Sequence, residues 1–193
     1  MLGVRVWRRL LGVGDKAVIE RVEFDEDADA VVAHVRPRRP AKRRCGRCGQ
    51  RAPGYDQGEG RRRWRSLDLG EVRSFVEADS PRVACKEHGP TVAQVPWARH
   101  GAGHTRAFDD MAAWLAVHTS KSAVVELLRI AWVTVGAIID RVVAEDRKRR
   151  DPFDGLVRLG IDEISYNYVG DLVKGSVGRV AGFASRDVLF EAV

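Results

Sequence analysis

Two short metal-type pairs constrain this chain more than anything else in it: Cys45-Gly-Arg-Cys48 and Cys85-Lys-Glu-His88. Each pair has the two-residue spacing of a tight turn that aims both side chains at one ion. Together they supply three thiolates and one imidazole, the donor set of a tetrahedral zinc site with Zn–S of about 2.3 Å and Zn–N of about 2.0 Å. Glycines at 46 and 49 relieve the backbone crowding such a turn imposes. All three cysteines of the chain fall into the pattern, so free, reduced thiols are the weaker reading. Four protein ligands leave no open position, so the zinc is expected to be structural. The 36 residues between Cys48 and Cys85 exceed the roughly 12-residue spacer of a compact finger. They are predicted to hold a β-hairpin, giving a zinc ribbon.

Charge is the second constraint. With 33 Lys+Arg against 27 Asp+Glu the chain carries a formal +6, a modest excess that is unevenly spread. Residues 36–51 read RPRRPAKRRCGRCGQR, with eight basic residues and no acid, and RRRWR follows at 61–65. A solvated face usually mixes both signs; a one-sign block of this density attracts a polyanion. Arg43, Arg44, Arg61, Arg62 and Arg63 are therefore candidate DNA contacts, against the plainer reading of a basic linker. No stretch approaches the roughly 20 apolar residues of a membrane span, and MLGVRVWRRLLGVGD is too interrupted by arginine for a signal peptide. The expectation is a cytoplasmic protein without a membrane partner.

Periodicity divides the rest. Val18, Ile19, Val22, Phe24 and Val31, Val32, Val35 read as two strands flanking the acidic turn DEDADA. Residues 62–84 read as β again, with Gly70 at a turn, and 95–104 as loop, leaving His100 and His104 as ordinary loop histidines. After Thr105 the period becomes helical. Helices are predicted over about 105–118, 122–129 and 134–147, with Val135, Ile138, Ile139, Val142 and Val143 as the best stripe. Thr119 or Ser120 can cap the second helix, and Thr134 can cap or begin the third. A short helix, a tight turn and a longer amphipathic helix make a helix-turn-helix, whose second helix would enter the major groove and carry Thr134 and Arg141. Its opening residues Val133, Thr134, Gly136 and Ala137 can touch a thymine methyl but make no bidentate base contact. LGIDEISY, at 159–166, ends an apolar strand in Asp162 and Glu163.

The succession CGRCG, RRWRSLDLGEVRSFVEADSPRVACKEHG, VPWARHGAGHTRAF, SKSAVVELLRIAWVTVGAIIDRV and LGIDEISY resembles the ISL-three type of insertion-sequence transposases over roughly residues 1–166. The resemblance implies an α+β chain: a β-rich zinc ribbon, a three-helix helix-turn-helix module and the start of a ribonuclease-H-like domain. The expected modules are 1–98, 104–150 and an incomplete 155–193. It implies zinc on Cys45, Cys48, Cys85 and His88, and Asp162 as the first acid of an Asp-Asp-Glu triad. Mg²⁺ would enter only with a complete catalytic domain. The implied partner is the DNA of the element's terminal inverted repeats, with a homodimer or pairing with an intact transposase as the assemblies to consider. The tail NYVGDLVKGSVGRVAGFASRDVLFEAV departs from the family's continuation. The expectation is thus a truncated or frameshifted copy that binds element-end DNA without cutting it. The alternatives are an Mg²⁺-dependent strand transferase working through Asp162, and a zinc/helix-turn-helix regulator derived from one.

Overall fold

The computed structural model describes residues 3–38, 43–148, 156–164, 177–184 and 190–191. The chain divides into two compact units, residues 1–142 and 143–193. The first opens with helix α1 (Val4–Leu10), then strands β1 (Ala17–Asp25) and β2 (Ala30–Pro37). These two form the expected antiparallel pair across the acidic turn, with a register irregularity between Ile19 and Arg21.

The hairpin of 61–79 is present as β4 (Arg61–Leu69) and β5 (Val72–Asp79), but it does not carry the zinc ligands. It joins the N-terminal pair instead, in one sheet of order β1-β2-β5-β4. The join is parallel, running from Ala30 opposite Arg73 to His34 opposite Glu77. The apolar face supplies the reason: Ala33 and Val35 of β2, Trp64 of β4 and Val76 and Ala78 of β5 are buried together with Leu11, Val13 and Trp97. Trp64 meets Trp97 edge to face at 5.6 Å, a favoured aromatic geometry. The ribbon proper is a separate small sheet of β3 (Gly54–Asp56), β6 (Arg82–Cys85) and β7 (Gly89–Val92), in order β3-β6-β7.

Three helices follow: α2 (Arg106–His118), α3 (Lys121–Leu128) and α4 (Trp132–Arg147). The Thr105 hydroxyl caps α2 by accepting from the Phe108 amide, and the Ser120 hydroxyl caps α3 by accepting from Ala123. The third helix begins at Trp132, so Thr134 lies within its first turn and does not cap it. Phe108, Ala112, Val124, Leu128, Val135 and Ile138 form the helical core. Arg129 leaves α3 in the left-handed conformation (φ 52°, ψ 49°), the backbone step that ends a helix and starts a tight turn. α3 and α4 then diverge at 103°, inside the 90–120° range of helix-turn-helix pairs. Among the described residues no single helix is long and apolar enough to cross a membrane.

In the second unit, β8 (Leu156–Ile164), β9 (Val177–Ala184) and β10 (Phe190–Glu191) form a sheet of order β10-β9-β8. The strand carrying Asp162 is thus paired with β9, Leu156 opposite Ala184 through Ile164 opposite Val177, with a register irregularity between Leu156 and Arg158. Residues 177–184 read VGRVAGFA, a mix of β-favouring Val and Phe with small residues that a strand accepts despite two glycines.

Candidate zinc centre and nucleic-acid interface

Cys45 and Cys48 sit on a turn held by two backbone bonds, Cys45 N–H to the Gln50 carbonyl and Gly49 N–H to the Cys45 carbonyl, both 2.8 Å. The Arg47 amide points at Cys45 Sγ at 3.4 Å. Cys85 ends β6 and His88 lies in the β6–β7 turn. A bridge from Cys45 to Ala93, and the Gly46 N–H bond to Val92 O at 3.1 Å, fix the turn against the ribbon sheet. No side chain fits at Gly46: a Cβ there would stand 2.4 Å from His100 Nδ1 and 2.6 Å from Val92 O.

The four ligand atoms converge, all within 4.8 Å of one another. Cys48 Sγ lies 3.7 Å from Cys85 Sγ, and His88 Nδ1 lies 3.8 Å from Cys45 Sγ and 3.7 Å from Cys85 Sγ. A tetrahedron with bonds of about 2.3 Å has edges of about 3.8 Å, so this spacing is that of ligands around one zinc. The thiols differ in acidity. Hydrogen bonding from His88 brings the Cys85 thiol down to about 6. The Gln50 amide draws Cys48 down too, but burial and the Cys45 and Cys85 sulfurs outweigh it and push the thiol up to about 11. Three thiolates this close need a cation, and a divalent ion supplies it. Beyond the ligands, Glu87 Oε1 stands 3.8 Å from His88 Nε2, on the ring edge opposite Nδ1.

The basic residues separate into two sets. Arg43 is exposed with φ 57°, and half-buried Arg44 donates to the Gly49 carbonyl at 3.0 Å, so both flank the zinc turn. The RRRWR arginines find partners within the fold. Arg61 and Arg63 pair with Glu77 at 2.8 and 2.6 Å, and Arg63 reaches Asp25 at 3.1 Å. Burial pushes the Glu77 carboxyl up, but Arg63, then Arg61 and His34, outweigh it and hold it below the ordinary range. Arg62 donates to Ala102 O at 2.8 Å and lies 5.4 Å from the Trp64 ring centre. Arg65 donates to the Arg129 carbonyl at 2.9 Å and to Asp68 at 3.1 Å, while Arg129 reaches Asp68 and the Glu71 carbonyl. The turn between α3 and α4 is thereby latched to the β4–β5 hairpin.

Arg141 also turns inward. It stands 3.6 Å from Asp109, a fully buried carboxylate that Arg99 approaches at 3.5 Å and His104 at 3.9 Å. Burial raises the Asp109 carboxyl, and Arg141 and Arg99 recover only part of that cost. The two loop histidines are therefore structural. His104 stacks on Phe108 at 4.7 Å, and His100 packs over Gly46 with its basicity lowered by burial, then by Arg47 and Arg62. On α4, Trp132 and Val133 are exposed, as is Ala137, and Thr134 is half-exposed. Lys121 Nζ sits 4.4 Å from the Trp132 ring centre, a contact the sequence reading missed although a cation–π pair across this turn needs only those two residues. Asp162 lies on β8 opposite Arg179 in the backbone register.

A ribbon with four converging zinc-type ligands and a capped, 103° helix pair define a protein that combines a zinc-ribbon module with a helix-turn-helix. The helix-turn-helix domain of transposase family ISL3 matches residues 93–143, and the zinc-finger of transposases IS204/IS1001/IS1096/IS1165 matches residues 41–88. Both modules of this chain are therefore of the kinds found in transposases of the ISL3 type. It is 61% identical over 189 residues to the transposase for insertion sequence element IS1557 of Mycobacterium tuberculosis, in strains CDC 1551 / Oshkosh and ATCC 25618 / H37Rv alike. The match takes in 93% of this chain and 42% of each relative's length. No solved structure matches it significantly.

Proposed function

We propose that this polypeptide binds the end DNA of an insertion sequence, with α4 in the major groove and the zinc turn on the flanking backbone. The observation that carries the reading is the exposed opening of α4, which a capped α3 and a latched turn hold out at 103°. Val133 and Ala137 are shaped to contact thymine methyls, and Thr134 can reach a base edge or a phosphate. Arg43 and Arg44 supply phosphate contacts beside the zinc, whereas Arg61, Arg62, Arg63 and Arg141 serve mainly to hold the surface in place.

In this reading binding is separate from strand cleavage. Two-metal phosphoryl chemistry needs several converging carboxylates, and Asp162 is the acid that the resemblance assigns to the family's triad. The modules 1–98, 104–150 and 155–193 then divide into metal-stabilised backbone binding, groove reading and the start of a catalytic sheet. The experiment uses the zinc-loaded chain and duplexes enriched by repeated rounds of binding. Val133→Glu and Ala137→Glu alter exposed positions and should weaken binding at least tenfold while zinc content stays at one per chain. Affinity unchanged in both would remove α4 from the interface. Mg²⁺-dependent cutting that disappears in Asp162→Ala would overturn the separation of binding from cleavage.

A further inference from the structure

Helix α1 lies outside both matched modules, yet it builds a cationic groove. Its arginines at 5, 8 and 9 have i, i+3, i+4 spacing and so occupy one face of the helix. With Gly12, Gly14 and Asp15 they line a cavity of about 740 Å³. The opposite side anchors the helix: Trp7 packs on the β-sheet core and Leu11 and Val13 are fully buried in it. The Ser66 hydroxyl fixes the following turn by donating to the Leu11 carbonyl at 3.0 Å. Three arginines against one acid leave the groove with a net positive charge. Its one acid, Asp15, has a fully exposed side chain and stands 4.0 Å from Arg8, and among the described residues Arg8 Nε is buried without a hydrogen-bond partner. That contrasts with Arg61, Arg63 and Arg141, whose partners lie inside the fold.

The groove also borders the helical module. Gly12, at φ +62°, backs onto the first turn of α2 so closely that a Cβ there would stand 2.6 Å from Ala107 Cβ. The cavity therefore opens at the seam between the β-sheet and the helix-turn-helix. We infer that Arg5, Arg8 and Arg9 form a further phosphate-binding site, which clamps two backbone phosphates of the same DNA that α4 reads; this rests on the DNA-binding reading above. Guanidinium groups suit the task because they present forked donors to phosphate oxygens, and the site adds affinity and register without reading sequence.

The test compares the full zinc-loaded chain with Arg5→Gln/Arg9→Gln, both at exposed positions, and with the triple variant that adds Arg8→Gln. Binding to a fluorescent 20-base-pair duplex is followed by anisotropy across a KCl series. Each phosphate neutralised contributes about 0.9 to the log–log salt slope. The triple variant should lose about 1.8 of slope, equivalent to about thirtyfold weaker binding at 0.15 M if the contribution vanishes near 1 M. The double variant should lose at least half of that with melting temperature and zinc content intact. An unchanged slope in both, while Val133→Glu still weakens binding, overturns this site and leaves the wider reading standing. A wild-type chain that binds no duplex at all overturns both. Binding to phosphatidylserine-containing vesicles that the double variant abolishes, with the DNA slope unchanged, would assign the groove to membrane surfaces and refute it.

Discussion

His104 makes the helical module sensitive to mild acid by an amount the structure allows one to work out. Its side chain is 15% exposed and stacked on Phe108. Burial, then the charges of Arg141 and Arg65, lower its pKa from 6.5 to about 4. The folded value lies below the unfolded one, so the unfolded chain takes the proton first. Stability is fully present above about pH 6.5 and is lost as pH falls toward 4. With those two values, linkage gives a penalty of about 0.2 kcal/mol at pH 7 and about 2 kcal/mol at pH 5. Asp109, whose carboxyl is raised, works in the opposite sense, because the folded state takes that proton first. The zinc ligands are common to wild type and His104→Gln and cancel in the difference, and Asp109, 3.9 Å from the ring, keeps Arg99 and Arg141 beside it in both. The assay is urea unfolding of the two proteins at pH 7 and pH 5 with equal free zinc. Loss of the stack makes the variant the less stable protein at pH 7, but the difference should move by about 2 kcal/mol in its favour at pH 5. A difference constant to within about 0.5 kcal/mol would show that His104 is not held neutral by its surroundings.

Two further outcomes follow from the buried groups. Fresh, reduced protein should hold one zinc per chain, and Cys85→Ser should release it and unfold the ribbon, since metal binding there is folding free energy; elemental analysis and circular dichroism with and without a chelator check this, and a fully folded, zinc-free variant would contradict it. Asp109→Ala should cost about 3 kcal/mol, the lower end of the 3–5 kcal/mol range for breaking a buried pair, because Arg99 retains Asp110 at 2.6 Å while Arg141 loses the carboxylate it faces; denaturant unfolding giving under about 1 kcal/mol would mean that water already serves that carboxylate.

What could be read ahead of the structure was local. The zinc ligands announce themselves through spacing alone, and all four meet where expected. Val135 and Ile138 lie on the buried face of α4 because a 3.6-residue period is a property of the segment itself. The parallel pairing of β2 with β5 was not legible, since it joins strands separated by the whole first zinc turn and no local signal specifies a partner at that distance. That pairing removes the hairpin from the ribbon and gives it to the larger sheet. α1 escaped notice because a seven-residue helix is marginal on its own and here depends on Trp7 docking into a core assembled from later strands.

The arginines pose the sharper version of the same problem. A block such as RRRWR reads as a binding surface because sequence reports charge and not its neighbours. In β4, residues 61, 63 and 65 share one strand face while Arg62 and Trp64 share the other, and the acids that meet them come from elsewhere in the chain: Asp25 from β1, Glu77 from β5 and, for Arg65, Asp68 at the strand's own end. A guanidinium paired to a buried carboxylate such as Glu77 must give up that partner before it can take a phosphate, so its net contribution to DNA affinity falls although its formal charge is unchanged. Arg5 and Arg9 have no such partner among the described residues, and the groove's single acid is fully exposed. Charge available to DNA is therefore distributed differently from charge counted along the sequence. Removing Arg5 and Arg9 should alter the salt dependence with little effect on folding, whereas removing Arg61 and Arg63 should lower stability more than it alters that slope.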